Sequence, residues 1–162
     1  MLISHASAPL DLSRPQEFLL PDDAATQALG ALMASGLRAG DVLYLTGELG
    51  MGKSTLARAI IRTLTSSDQD VPSPTFTLMQ TYEAAEFQIV HLDLYRLTSP
   101  EDTYELGLDE AQSFSLFLIE WPDRLAHLGF DDRLDIVLDE GDKTNFQSGR
   151  RVRLTPKGRF RD

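Results

Sequence analysis

Eight consecutive residues, Gly47-Glu48-Leu49-Gly50-Met51-Gly52-Lys53-Ser54, match the glycine-rich Walker A pattern at every defined position. Each residue type has a physical task at that spacing. Glycines at 47, 50 and 52 let the backbone turn and bring bare N–H groups around an anion. A helix opening at the end of the octet aims its positive N-terminus at the same anion. The Lys53 ammonium reaches the β- and γ-phosphates of a nucleoside triphosphate, and the Ser54 hydroxyl is placed to ligate magnesium. Glu48, Leu49 and Met51 complete the nucleotide-binding loop. Thr55 falls one position late for the cation and belongs to the helix interior, although it is counted with the nucleotide-binding residues. A chance match in a chain of this size is expected well below roughly one time in a hundred.

Such a loop needs a carboxylate at the end of a nearby strand, to hold magnesium or to orient the attacking water. Glu120 ends the apolar run Phe117-Leu118-Ile119, and Asp93 ends Ile89-Val90-His91-Leu92. Glu120 has the more continuous apolar strand before it. Asp93 lies in the polar cluster His91-Leu92-Asp93-Leu94-Tyr95-Arg96, where Arg96 is an alternative ion-pair partner. Ser73-Pro74-Thr75-Phe76 is a stiffened loop in which Thr75 offers a hydroxyl and an amide to a γ-phosphate, as GTPase switch threonines do, or forms an ordinary turn. No Asn-Lys-x-Asp guanine signature is present, which points to ATP. Trp121, the single tryptophan, is either an aromatic plug beside Pro122 or a ring that stacks at the nucleotide. His5, His91 and His127 lack metal-ligand spacing and there is no cysteine, so a zinc site is not expected. No Gly-x-Ser-x-Gly elbow supports serine hydrolase chemistry.

The elements that must position these residues follow from apolar periodicity. Asp22 and Asp23 cap a predicted helix carrying Ala24, Leu29, Leu32, Met33 and Leu37 on one side. Residues 42–45 read as a buried strand leading into the loop, and 54–64 as the helix that follows it. Strands are predicted at 76–82 and 87–92, a short helix at 101–106 with a Ser99–Asp102 capping box, and a buried strand at 115–119. Two late strands, at 134–138 and 151–154, are expected to be antiparallel. The sum is an α/β chain with a mixed, mostly parallel sheet. Residues 1–162 are expected to form a single domain, with 1–15 and 157–162 poorly ordered.

Composition narrows the class. With 162 residues and 42% hydrophobic content the chain can bury a substantial core. No apolar run approaches the roughly 18 residues of a membrane span, and no secretory signal pattern opens the chain, so a cytoplasmic protein is expected. The net charge of −10 argues against autonomous tight binding to nucleic acid. The exception is the basic end, from Arg150-Arg151-Val152-Arg153 through Lys157, Arg159 and Arg161. It is either a last strand of solvated arginines with a frayed tail or a patch for a partner protein or RNA.

Four segments together form a more specific pattern. The octet extended by Thr55, then Ser-Pro-Thr-Phe-Thr-Leu from 73, His-Leu-Asp-Leu-Tyr-Arg from 91 and Ile-Glu-Trp-Pro-Asp-Arg-Leu from 119, resemble the TsaE (YjeE) family of bacterial ATPases, over about residues 22–137. The resemblance implies a three-layer fold of the P-loop NTPase type and a role in placing N6-threonylcarbamoyl on adenosine 37 of tRNA. It further implies ATP/ADP and magnesium as ligands, and association with a TsaB–TsaD heterodimer, through which tRNA is met indirectly. By matching position, Lys53 and Ser54 would bind phosphate and magnesium, Thr75 would lie in the switch-like loop, and Asp93 would be an essential acid near the metal. Glu120 would be the Walker B-like carboxylate and metal ligand, and Trp121 would report on the site. Met51 stands where alanine is usual and is expected to crowd the phosphate mouth; Ser54 stands for threonine and keeps the ligand oxygen. The rival assignments are a small P-loop kinase acting on a small molecule, for which no arginine-rich lid is evident, and a nucleotide-gated scaffold.

Overall fold

The computed structural model describes residues 10–74, 76–141 and 149–162. Thr75 and His5 therefore lie outside the described residues. Seven strands form one sheet in the order β1-β7-β6-β2-β5-β4-β3, where β1 is Gln16–Leu20, β2 Val42–Thr46, β3 Met79–Glu83, β4 Gln88–Asp93, β5 Ser115–Glu120, β6 Arg133–Glu140 and β7 Arg150–Lys157. The four central strands β6, β2, β5 and β4 run parallel; β3 at one side and β7 at the other run against them, and β1 pairs antiparallel to β7 at the edge. The parallel character is thus concentrated where helices cover both faces, as parallel strands require.

Helices α1 (Asp23–Ala34) and α2 (Lys53–Leu64) pack on one face. The Asp22 carboxylate caps α1 by accepting the Ala25 N–H at 2.8 Å. On α2, Leu56, Ala57, Ile60 and Ile61 recur at helical spacing and are fully buried against Leu43, Leu45, Leu116 and Leu118. Each such Leu or Ile contributes about 1.5–3 kcal/mol by leaving water. The opposite face is covered by 3₁₀ segments Pro100–Leu106 and Pro122–Leu128 with the short helix α3 (Leu108–Ala111), over Val42, Val90, Leu92, Phe117 and Ile119. The three-layer α/β architecture expected from the sequence is present.

Several local expectations are corrected. The strand foreseen from residue 76 begins only at Met79, because Leu78 adopts a positive φ of 63° that interrupts extended backbone. The Ser99 hydroxyl bonds Glu101 Oε2 at 2.6 Å and makes no cap bond, so the capping box is not formed. Of the two ends expected to be poorly ordered, residues 1–9 lie outside the described residues, while 10–15 and 157–162 are described. Leu12 is buried before β1, an edge strand that the sequence did not reveal. At 157–162, Phe160 is buried and the Arg161 guanidinium makes a two-pronged pair with Asp41, at 2.6 and 2.7 Å. Within β7, Arg151 and Arg153 both reach the Asp139 carboxylate of β6. Among the described residues no helix is long and apolar enough to cross a membrane.

Candidate functional site

Parallel strands β2, β4 and β5 end on the same edge of the sheet, where open α/β sheets bind ligands. β2 delivers the glycine loop, which runs directly into α2. Two glycines are dictated by this path. A Cβ at Gly47 would stand 2.5 Å from the Leu138 carbonyl oxygen, and Gly52, which opens α2, has φ of 101°.

β4 and β5 pair in a register that sets Asp93 opposite Glu120 at their last residues. Both carboxylates are buried. Side chains alternate along each strand. His91 and Asp93 therefore share the face of Ile89, and Glu120 shares the face of Leu116 and Leu118, which is the α2 side of the sheet. Glu120 is consequently aimed at the loop: the Ser54 hydroxyl donates to Oε1 at 3.0 Å, while His91 Nε2 lies 2.7 Å from Oε2. The Asp93 carboxylate accepts the Tyr95 N–H at 3.1 Å. Arg96, an alternative partner for Asp93 in sequence terms, lies over the exposed ring of Phe76 at 4.6 Å.

The cleft between these elements has a volume of about 400 Å³ and is lined by Lys53, Ser54, Asp93, Glu120 and Trp121. Leu49, Gly50, Gly52 and Thr55 complete the loop side, with Asp23 and Ser73 at its borders. Lys53 is buried; its ammonium donates to the carbonyl oxygens of Gly47 and of Glu48, and lies 4.3 Å from the Trp121 ring centre. Burial pushes the Lys53 ammonium below the ordinary lysine value, opposed by the charges of Glu120, Asp93 and Glu48. Trp121 has positive φ, 59°, and its ring packs against Tyr95 with centroids 5.0 Å apart. It forms one wall of the cleft above the lysine. Arg150 at the start of β7 donates to the Gly50 carbonyl at 3.3 Å.

The sequence-predicted residues Lys53, Ser54, Asp93, Glu120 and Trp121 are thus brought together. Thr75 lies outside the described residues, although its neighbour Ser73 borders the cleft. The expected crowding by Met51 is corrected: its side chain packs against the α1–α2 core and does not line the cleft. Sequence reasoning missed His91 as a contact of Glu120. The available signal was a histidine two residues before Asp93 in an otherwise apolar strand, hence on the same face.

In chemical terms the cleft offers an ammonium, a hydroxyl and two carboxylates, with a helix N-terminus behind them. Among the described residues, no three His, Cys, Asp or Glu side chains form a self-sufficient metal cage. Hard oxygen donors in small number suit magnesium, which takes the remainder of its ligands from phosphate and water.

Comparison with known proteins agrees with this architecture. The profile of the family described as "Threonylcarbamoyl adenosine biosynthesis protein TsaE" matches residues 20–151. A protein of Rickettsia felis with the name tRNA threonylcarbamoyladenosine biosynthesis protein TsaE is 42% identical over 125 residues, covering 75% of this chain and 73% of its own. The protein of that name from Nostoc is 32% identical across 91% of this chain and 90% of its own. A crystal structure of Bacillus subtilis YdiB superposes with a TM-score of 0.71 at 25% identity, covering 90% of this chain and 87% of that one. With the family pattern spanning the loop, both carboxylates and the tryptophan, the chain belongs to the TsaE family of tRNA threonylcarbamoyladenosine biosynthesis proteins.

Proposed function

We propose that the chain is an ATPase that binds ATP and ADP with magnesium and serves tRNA N6-threonylcarbamoyladenosine formation in the cytoplasm, in association with a TsaB–TsaD heterodimer that holds the tRNA. The observation that carries this reading is the convergence of Lys53, Ser54, Asp93 and Glu120 on one cleft at the carboxyl ends of β2, β4 and β5.

In this reading the loop amides and Lys53 bind the polyphosphate, and Lys53 exchanges its loop carbonyls for phosphate oxygens. Ser54 and Glu120 hold magnesium, with Asp93 beside them. Magnesium, when bound, neutralises the charge that develops on the transferred phosphoryl group. Glu120 and Asp93 align the attacking water, and Thr75 contributes from the switch-like loop on the strength of its motif position alone. Positioning and charge neutralisation supply most of the acceleration. Trp121 walls the cleft over Lys53, so its environment changes when the lysine moves. The test is ATP hydrolysis by the chain with its TsaB and TsaD partners, scored together with tRNA modification. Hydrolysis that rises with the partners and vanishes in Lys53→Ala supports the proposal; modification that proceeds at the wild-type rate with Lys53→Ala refutes it.

A further inference from the structure

We infer that His91 is the positioning residue of the cleft, its Nε2–H clamping Glu120 Oε2 so that Oε1 stays turned toward Ser54 and the cation the two would share. The inference rests on the nucleotide–magnesium function proposed above and adds a residue to it.

Both side chains are 2% exposed and their contact is 2.7 Å. The remaining Glu120 oxygen faces the Ser54 hydroxyl at 3.0 Å. That hydroxyl has to turn away to ligate a cation, whereas His91 points from inside the sheet and keeps its contact. His91 is therefore the partner that fixes the carboxylate in both situations. The other ring nitrogen, Nδ1, is buried with no hydrogen-bond partner, so the neutral Nε2–H tautomer leaves no buried donor unpaired. A histidine serving packing alone is poorly explained here. Its neighbours on this face are Ile89, Leu116 and Leu118, with Gln80 of β3 opposite it in register and bonded to Thr77, and an apolar side chain would fill the space without stranding a ring nitrogen. Donors held behind a carboxylate ligand orient it and govern metal affinity.

The test is calorimetric titration of ADP into the 162-residue chain, with magnesium and with EDTA, for wild type, His91→Leu and His91→Gln. No heat from the wild type in either condition would overturn the nucleotide function itself, and is separable from a failure at His91. His91→Leu is expected to lose about tenfold of the affinity that magnesium adds, with its affinity in EDTA unchanged because Lys53 and the loop amides are untouched. His91→Gln, whose amide nitrogen reaches where Nε2 stands, is expected to restore most of the loss. In a Glu120→Ala background, His91→Leu should have no further effect, since it acts only through that carboxylate. If the leucine variant does not fold, His91→Asn, too short to reach Oε2, takes its place. An unchanged magnesium gain in the folded removal variant, an equal loss in EDTA, failure of glutamine to rescue, or additive losses with Glu120→Ala would each overturn the assignment.

Discussion

Two regions of the molecule bury charged groups, and they do so in opposite ways. Just before the central strand β2, Asp41 is 6% exposed and fully answered: Arg161 pairs with both carboxylate oxygens and the Arg38 N–H adds a third bond at 2.9 Å. At the cleft, Lys53 is 5% exposed and its ammonium contacts loop carbonyls and the face of Trp121, with the charges of Glu120 and Asp93 nearby, and His91 carries an Nδ1 without a hydrogen-bond partner among the described residues. A buried pair that satisfies itself is architecture. A buried ammonium that rests on neutral loop carbonyls and a ring face is open to an anion that arrives from outside.

Breaking each region should therefore have different consequences. The largest effect is expected from Lys53→Ala, which should lower ATP turnover by about 10²–10³-fold while thermal unfolding stays near wild type. Loss of stability with retained turnover would reverse the contrast. Glu120→Ala should cut hydrolysis by about 10²-fold yet keep measurable ADP binding; wild-type turnover in that variant removes its assigned role. Arg161→Ala does the converse, stranding Asp41 and costing about 3 kcal/mol in urea unfolding, with turnover of the folded fraction unchanged. Arg153→Ala, whose contact with Asp139 is partly exposed, should cost no more than about 1 kcal/mol in the same measurement.

The smallest effect is a proton linkage. Burial holds the Lys53 ammonium below its ordinary value of 10.5, and a bound polyphosphate favours the charged form. Affinity should therefore fall as pH rises through the lysine's lowered pKa, and binding there should take up protons. Calorimetry in two buffers of different ionisation enthalpy reads that uptake; identical heats would contradict it.

The same contrast decides what was legible in the sequence. The loop and α2 are contiguous, so the octet specifies its own geometry. Glu120 and Asp93 were found because an acid ending an apolar strand must emerge at one edge of a parallel sheet. His91 could not be assigned from the chain alone, since its contact depends on the β4–β5 register across 29 positions. The Arg161–Asp41 pair joins residues 120 apart, so the sequence shows Arg161 only as part of a basic end, either a frayed tail or a partner patch. β1 went unseen because Gln16–Leu20 is short and gains its order from pairing with β7. Met51 was expected at the phosphate mouth because a linear motif does not reveal which way a side chain leaves a loop.

Titrating Mg-ADP into the folded wild-type chain and into folded Lys53→Ala measures the phosphate cradle most directly. A one-to-one isotherm from the wild type and none from the variant is the expected result. A folded wild-type chain that releases no heat would contradict it.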